Sequence, residues 1–199
     1  MVDLSIGVLA IQGAVSEHVA MLKHALRAQK LSGNVSIIRK QSDMASLDGL
    51  ILPGGESTTI SKMMQKTGLF TAISKRIAAD NLYVMGTCAG CVLLATELDH
   101  PDEEITLLQA MDMQVKRNAF GRQYESFEQE ITFSGFPDPY HAVFIRAPVI
   151  TKTGEACTIL ATLDKKSVVA RQNKFLALSF HPELTDDIRV HSYFLQMMI

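Results

Sequence analysis

One cysteine has the surroundings of a catalytic nucleophile. Cys88 follows an apolar run suited to a buried strand, and Gly86 and Gly90 lie two residues away on either side. An apolar stretch over 91–98, predicted as a helix, comes next. This spacing is that of a nucleophile elbow, where the turn from strand to helix is so tight that only glycine fits beside the nucleophile. Such a turn also puts the thiol at a helix N-terminus, where free N–H groups favour a thiolate.

Two other interpretations of Cys88 stay open on this motif alone. A buried structural cysteine beside an ordinary glycine turn has the same spacing. Cys88 and Cys91 also form a C-x-x-C pair, which is the spacing of a redox dithiol. A free thiol has a pKa of about 8.5, so a catalytic cysteine also needs help from its surroundings or from a neighbouring base.

The strongest candidate for that base is His181. It directly follows the apolar segment 175–180 and precedes Pro182 and Glu183. Proline favours an extended conformation for the residue before it, and side chains two apart in extended chain point the same way, so Glu183 is expected to accept a hydrogen bond from the imidazole. Cys88, His181 and Glu183 would then act as nucleophile, base and orienting acid. The alternative is a strand-end histidine beside a solvated glutamate.

The chain has six histidines, and the five others are expected to be surface or packing residues. His18 and His24 fall in one predicted helix and His191 in another, whereas His100 and His141 fall in polar loops. None of these positions directly follows a predicted buried strand, which is the feature that distinguishes His181.

A second glycine-rich turn could supply the donors that acyl transfer needs. Gly54 and Gly55 follow a predicted strand over 48–52, and a helix is predicted to begin near Ser57. Backbone without side chains, next to a helix start, can aim N–H groups at a developing oxyanion. The N–H groups of Gly55 and Ala89 are therefore the candidate oxyanion donors. The alternative is a plain glycine turn capped by Ser57.

The segments around these residues predict an α/β fold. Strands and helices alternate in the first half of the chain, at 5–11, 16–30, 35–39, 48–52, 57 onward, 69–79 and 82–85. Residues 32–34 are expected to break the chain before the second strand. Alternation of this kind predicts parallel βαβ units, whose ligands bind at the carboxyl ends of the strands. Both glycine-rich turns fall at such ends.

From residue 105 onward the pattern changes to short strands joined by turns. These strands are predicted at 143–145, 158–160, 168–170 and 175–178, and a helix over 186–198 closes the chain. We expect them to form an antiparallel extension of the same sheet. No linker or repeat separates the halves, so residues 1–199 are predicted to form one α/β domain around a mixed, mainly parallel sheet.

Composition argues against several classes of function. The 199 residues are 47% hydrophobic and 20% charged, with a net charge of -2, which is an ordinary globular balance without the basic field of a nucleic-acid-binding protein. No apolar run approaches the roughly 18 residues that a membrane span needs, and the start does not have the pattern of a signal peptide. Three sparse cysteines favour a reducing cytoplasm.

Taken together, these motifs resemble the class I, triad-type glutamine amidotransferases. Within them the chain is similar to the family of glutaminase subunits of the two-component pyridoxal 5'-phosphate synthase. The similarity runs nearly end to end, through Ile-Gln-Gly-Ala at 11–14, Leu-Pro-Gly-Gly-Glu-Ser-Thr-Thr at 52–59, Gly-Thr-Cys-Ala-Gly at 86–90, Arg-Asn-Ala-Phe-Gly-Arg-Gln at 117–123, Phe-Ile-Arg-Ala-Pro at 144–148 and Phe-His-Pro-Glu-Leu-Thr at 180–185.

The resemblance implies a three-layer, flavodoxin-like sandwich that hydrolyses L-glutamine to glutamate and ammonia. Cys88 would attack the side-chain amide, His181 would shuttle the proton and Glu183 would hold the imidazole. The glutamine-binding residues that it implies are Gly54, Gly55, Glu56, Arg117, Ile145 and Arg146. It implies no cofactor and no metal.

The resemblance also implies a protein partner. In the family the ammonia goes to a separate (β/α)8-barrel synthase subunit, which builds pyridoxal 5'-phosphate from pentose and triose phosphates. Twelve glutaminases assemble around a dodecameric synthase, and ammonia passes through a tunnel. Glutaminase activity typically depends on that contact, and Gln12 is expected near the interface.

Two features depart from the family pattern. Cys91 stands where relatives usually carry an aliphatic residue, which leaves open a Cys88–Cys91 disulfide. The loop over 99–104 is slightly long and acidic, and is expected not to touch the triad. The rival hypotheses are a DJ-1/PfpI-like cysteine hydrolase, and a non-catalytic regulatory subunit of the same fold.

Overall fold

The computed structural model describes residues 3–120 and 125–199, so positions 121–123 of the Arg-Asn-Ala-Phe-Gly-Arg-Gln motif lie outside the described residues. The helices are α1 Val15–Ala28, α2 Ser57–Lys66, α3 Leu69–Ala78, α4 Ala89–Leu94 and α5 Arg189–Gln196. The strands are β1 Asp3–Leu9, β2 Ser32–Ile38, β3 Gly49–Leu52, β4 Tyr83–Thr87, β5 Ala95–Leu98, β6 Met111–Lys116, β7 Ser126–Ile131, β8 Tyr140–Ile145, β9 Val149–Thr153, β10 Thr158–Leu163, β11 Lys166–Gln172 and β12 Phe175–Leu178. Short 3-10 turns occupy Gln41–Met44 and Pro182–Leu184.

One large sheet forms the centre of the molecule. In the described part of the chain it has ten strands, in the order β2-β1-β3-β4-β12-β11-β9-β6-β5, with β10 beside β11. The run from β2 to β12 is parallel, and antiparallel pairs join β12 to β11, β11 to β9 and β9 to β6. The predicted α/β class with a mixed, mainly parallel sheet is confirmed.

Helices cover both faces of this sheet. On one face α2 and α3 pack through Ile60 and Ile73, and on the other α1 and α5 pack through Leu22 and Phe194. Successive side chains of a strand point to opposite faces, so Leu50 of β3 joins the first core and Ile51 the second. Strands buried on both faces need continuous apolar sequence, which is why neither β3 nor β12 contains a polar side chain.

The register of three adjacent strands sets the position of the site. Leu52 at the end of β3 pairs with Gly86 in β4, and Leu178 at the end of β12 pairs with Thr87 at the end of β4. Because these strands are parallel and end level, the segments that follow them leave the sheet at the same edge.

The prediction of a single antiparallel extension is wrong for two strands. β12 is antiparallel to β11 but parallel to β4, so it belongs to the parallel centre of the sheet. β8 pairs with β7 in a separate two-stranded sheet. A tight turn specifies only the direction of the next strand, whereas the second neighbour of that strand is decided by tertiary packing.

Two local predictions are also wrong. The predicted helix over 91–98 ends at Leu94, and Ala95–Leu98 is strand β5, which pairs with β6. A short apolar run fits either structure, so its length alone does not separate them. Residues 32–34 do not break the chain but begin β2, where pairing with β1 overrides their weak strand propensity.

Other element boundaries differ from the predictions by a few residues. The first strand is Asp3–Leu9 rather than 5–11, and the last helix is Arg189–Gln196 rather than 186–198. The last helix begins late because the Asp187 carboxylate accepts a hydrogen bond from the N–H of Arg189 and holds a turn there. In the described ranges, none of the helices is both long and apolar enough to span a bilayer.

Candidate active site

Cys88 occupies a strained turn between β4 and α4. Its backbone has φ 49° and ψ -104°, and its N–H donates to the carbonyl of Leu178 at 2.8 Å. A Cβ on Gly86 would lie 2.5 Å from the backbone of Gly90, and a Cβ on Gly90 would lie 2.1 Å from the carbonyl oxygen of Leu52. Only glycine therefore fits two residues before and after the cysteine, as a nucleophile elbow requires.

His181 and Glu183 lie beside the elbow. His181 Nδ1 is 2.9 Å from Glu183 Oε1, and the imidazole lies beside Cys88, whose thiol donates to the carbonyl of Ile145 at 3.7 Å. The backbone is not extended as predicted, because Pro182–Leu184 form a 3-10 turn that brings the two side chains together. The N–H of His181 donates to the carbonyl of Val143 at 2.8 Å, which fastens this turn to β8. Cys88, His181 and Glu183 are thus adjacent in this order, and we call them the catalytic line.

The environment of His181 favours its protonated form. Burial alone would lower its pKa, but hydrogen bonds to Cys88 and Glu183 and the charges of both groups outweigh burial and raise the pKa to about 10. A protonated imidazole beside a sulfur atom is arranged to deliver a proton to a leaving nitrogen.

A cleft of about 260 Å³ opens over these groups. It is lined by nine of the predicted site residues: Gly54, Gly55, Glu56, Cys88, Ala89, Arg117, Ile145, Arg146 and His181. Glu183 is buried behind His181. Gln12 lies outside the lining, but its Oε1 accepts a hydrogen bond from the N–H of Glu56 at 2.9 Å and so supports the glycine turn. The structure brings the predicted residues together at one edge of the sheet.

Gly54, in the glycine-rich turn after β3, lies directly against His181 and Cys88. A Cβ at this position would lie 2.4 Å from His181 Cε1 and 3.3 Å from Cys88 Cβ. The turn therefore passes directly against the histidine and the cysteine, where backbone N–H groups can reach an atom bonded to the sulfur.

Arg117 is held by two carboxylates at one side of the cleft. Its Nη1 is 2.6 Å from Asp102 Oδ2 and its Nη2 is 3.3 Å from Glu56 Oε1. The N–H of Glu104 and the Arg117 guanidinium lower the pKa of Asp102. The acidic loop over 99–104 thus reaches Arg117 at the side of the cleft. The sequence has no local signal for this contact, because the loop and Arg117 meet only through the pairing of β5 with β6.

Two buried histidines lie behind Glu183, and sequence reasoning assigned them no part in the site. His18 Nε2 is 3.3 Å from Glu183 Oε2, and His18 Nδ1 is 3.0 Å from His191 Nε2. Burial lowers the pKa of His18 well below its usual value, helped by the charges of His191 and His181, and burial lowers the pKa of His191 to about 3. The one available signal was the helical spacing of His18 and Leu22, which puts both on the buried face of α1.

One further histidine differs from its predicted setting, and the cysteine pair is unbridged. His141 lies in strand β8, not in a polar loop, between Glu128 and Glu130. All three cysteines are free, so Cys88 and Cys91 are not joined. Burial raises the pKa of Cys91 far above its usual value and makes it a poor redox partner.

Known proteins match this chain almost from end to end. The model of the SNO glutamine amidotransferase family matches residues 8–199. A relative from Methanococcoides burtonii, named pyridoxal 5'-phosphate synthase subunit PdxT, is 46% identical and covers 98% of this chain and 99% of its own. A protein of the same name from Halalkalibacterium halodurans is 48% identical and covers 98% of this chain and 95% of its own.

Structural comparison agrees with the sequence matches. A solved structure described as the crystal structure of a glutamine amidotransferase superposes with a TM-score of 0.86 at 44% identity, and covers 97% of this chain and 98% of its own. With a family model and relatives that match nearly its whole length, the chain belongs to the SNO glutamine amidotransferase family.

Proposed function

We propose that this glutamine amidotransferase hydrolyses L-glutamine to glutamate and ammonia with Cys88 as nucleophile, His181 as acid and base, and Glu183 as orienting acid. The observation that carries the proposal is the grouping of these three side chains beneath the cleft, with Glu183 Oε1 2.9 Å from His181 Nδ1 and the imidazole beside Cys88. The strained backbone of Cys88 adds support, since strain of this kind collects at functional sites.

The reaction follows from this arrangement in two steps. The thiol of Cys88 gives its proton to His181 and the sulfur attacks the side-chain amide carbon; the imidazolium then passes this proton to the departing nitrogen, so ammonia leaves and a glutamyl thioester remains. A water molecule next gives a proton to His181 and its oxygen attacks the thioester; the carbon–sulfur bond breaks, the sulfur takes the proton back from His181, and glutamate is released. Glu183 keeps the imidazole oriented throughout and stabilises its positive charge.

The oxyanion of each tetrahedral intermediate needs two donors. We assign them to the N–H groups of Gly55 and Ala89, because the first lies in the turn that touches His181 and the second directly follows the nucleophile. Removing one such donor typically costs about 100- to 1,000-fold in rate.

Glutamine is proposed to bind in the cleft through its α-carboxylate and α-amino groups. Arg117 and Arg146 supply guanidinium groups for the α-carboxylate, and Glu56 supplies a carboxylate for the α-amino group. Gly54, Gly55 and Ile145 also line the cleft and are proposed to contact the same substrate. The cleft volume, about 260 Å³, suits one small amino acid.

The ammonia is proposed to serve pyridoxal 5'-phosphate synthesis. The support is that relatives at 46% and 48% identity are named subunits of a pyridoxal 5'-phosphate synthase. The chain would work with a barrel-shaped synthase subunit in a complex of twelve copies of each, with Gln12 near the contact and a tunnel for ammonia. We further propose that residues 1–199 form one domain, because one continuous sheet joins both halves of the chain. We also propose a cytoplasmic location, because the three free thiols would stay reduced there.

The test is release of glutamate from glutamine by the purified chain, alone and with a barrel subunit, against a Cys88→Ala control. We expect strong release with the barrel subunit, weaker release without it, and none from Cys88→Ala. Cys91→Ala is the matched control, because Cys91 is buried one turn away and its thiol is not in the cleft. Equal release by wild type and Cys88→Ala would contradict the mechanism and favour a regulatory subunit or another hydrolase.

A further inference from the structure

A pair of fully buried histidines connects two helices to the catalytic line. His18 of α1 and His191 of α5 both have no solvent exposure, and their nearest ring nitrogens, His18 Nδ1 and His191 Nε2, are 3.0 Å apart. Burying a polar side chain costs free energy unless it is hydrogen-bonded, so a buried histidine pair indicates a structural or functional role. The mechanism above uses neither residue.

The contact of His18 that bears on catalysis is with Oε2, the second carboxylate oxygen of Glu183. Oε1 of this carboxylate faces His181 at 2.9 Å, whereas Oε2 is fully buried and makes no hydrogen bond of good geometry within the described residues. His18 Nε2 is 3.3 Å from Oε2 and 3.4 Å from Thr87 Oγ1, so a small rotation of the ring would aim its N–H at the carboxylate. A buried carboxylate that is held through one oxygen only can rotate, and rotation would weaken the hydrogen bond between Oε1 and His181.

The chemistry of the neighbours selects the tautomer of His18. A carboxylate only accepts hydrogen bonds, so a neutral His18 that faces Glu183 must carry its proton on Nε2. Nδ1 is then an acceptor, which suits a donated N–H from His191 Nε2. Burial lowers the pKa of both His18 and His191, so both stay neutral and add no charge that would compete with protonated His181.

His18 also touches the strand that ends in the nucleophile. Thr87 Oγ1 is 3.4 Å from His18 Nε2, and Thr87 directly precedes Cys88. One imidazole therefore lies against both the base of the elbow and the back of the orienting acid. A residue in that place can set the distance between the two.

We propose that His18 is a positioning residue, whose Nε2–H holds the second oxygen of Glu183 and thereby fixes His181 against Cys88, while His191 fixes the tautomer of His18. The proposal rests on the proposed glutaminase function. It predicts that the hydrogen-bond donor at position 18 matters for turnover, and not only the volume of the side chain.

The experiment compares two replacements of His18 in the complex with the barrel subunit. His18→Met keeps the volume and removes the donor, whereas His18→Gln keeps an amide N–H at a similar reach. We expect His18→Met to lower kcat on the order of 100-fold with KM unchanged, because a misplaced catalytic group acts on the reaction and not on binding. His18→Gln should recover most of this loss.

The matched control is His24→Met, which makes the same change at an exposed position of α1 and should leave kcat unchanged. Thermal unfolding of each variant separates positioning from stability. If His18→Met does not fold, His191→Leu tests the same line by removing the donor to His18 Nδ1, and kcat should fall in the same direction.

The outcomes separate this proposal from the function on which it rests. Wild type no more active than Cys88→Ala would overturn the glutaminase mechanism itself. An active wild type with a folded His18→Met variant of equal kcat would overturn the positioning role alone. So would a His18→Gln variant that is no better than His18→Met at equal thermal stability.

Discussion

At the scale of single residues, the ion pairs of Arg117 bear on its proposed role in binding the substrate carboxylate. Its guanidinium already contacts Asp102 at 2.6 Å and Glu56 at 3.3 Å. An arginine that is shared between two carboxylates attracts a third one less strongly than a free arginine would. If Arg117 binds the substrate carboxylate as proposed, Asp102 competes with that carboxylate for the same guanidinium.

Replacing that competitor should tighten substrate binding. Asp102→Asn removes the negative charge but keeps the size of the side chain, so we expect KM for glutamine to fall by about two- to fivefold with kcat unchanged, as suits a partly exposed ion pair. Steady-state glutaminase kinetics measure this. Glu103→Gln is the control, since it removes the same charge from an exposed neighbour in the loop. A rise in KM for Asp102→Asn would mean that Asp102 orients Arg117 instead.

The charge of His181 is a second property that one substitution should change. Its hydrogen bonds to Cys88 and Glu183 raise its pKa to about 10 against the opposing effect of burial, so Cys88→Ala should lower that pKa. NMR titration of the imidazole C–H resonances measures the change. The His141 resonance is the internal control, because its raised pKa comes from Glu130 and Glu128 outside the cleft. Unchanged titration of His181 would show that the thiol does not stabilise the imidazolium.

The raised pKa of His181 also predicts in which direction the stability of the fold changes with pH. Because the pKa of His181 in the folded chain, about 10, exceeds the unfolded value of about 6.5, the charged imidazole stabilises the fold in full below pH 6.5. That contribution is lost as the pH rises from about 6.5 through the folded pKa of about 10.

At the scale of elements, the elbow depends on the distance between α4 and β3. The Cα of Gly90 faces the carbonyl of Leu52 so closely that a methyl group has no room, and both segments are buried. Helix α4 can approach the sheet only because this position lacks a side chain.

A methyl group at that contact should push the helix away. Gly90→Ala would place a Cβ 2.1 Å from the Leu52 oxygen, so we expect a loss of about 1–3 kcal/mol in the free energy of unfolding, together with loss of glutaminase activity. Urea unfolding and glutamate release measure the two effects. Gly135→Ala is the control: it has a positive φ of 95° but no neighbour within 4 Å, so it should cost only about 1 kcal/mol of backbone strain and keep activity. Normal activity in Gly90→Ala would contradict the tight elbow.

The elbow also shows which parts of this fold the sequence could predict. Gly86 and Gly90 are required by contacts within one short segment and its nearest strand, so their spacing alone was informative. The parallel pairing of β12 with β4 depends on partners about 90 residues apart in the chain, and no local pattern encodes it. His18 is similar, because its place behind Glu183 follows from how α1 packs against the turn at Pro182–Leu184.

At the scale of the whole molecule, the proposed reacting groups and the proposed recognition groups come from different regions. The glycine turn, Cys88 and His181 follow β3, β4 and β12, which are adjacent interior strands of the sheet. Arg117 follows β6, near the outer end of the sheet, and Arg146 follows β8 in the separate two-stranded sheet. The cleft forms where these regions meet.

This division has a consequence for native-state hydrogen exchange. Amides of interior strands such as β4 exchange only when the whole domain unfolds, whereas peripheral hairpins such as β7–β8 open in smaller, cheaper fluctuations. Opening of the β7–β8 hairpin would displace Arg146, which follows β8, and would also release the His181 N–H from the carbonyl of Val143. The backbone of Cys88 is instead anchored to the interior strand β12, so the proposed nucleophile stays in place while its base and one proposed recognition group loosen together.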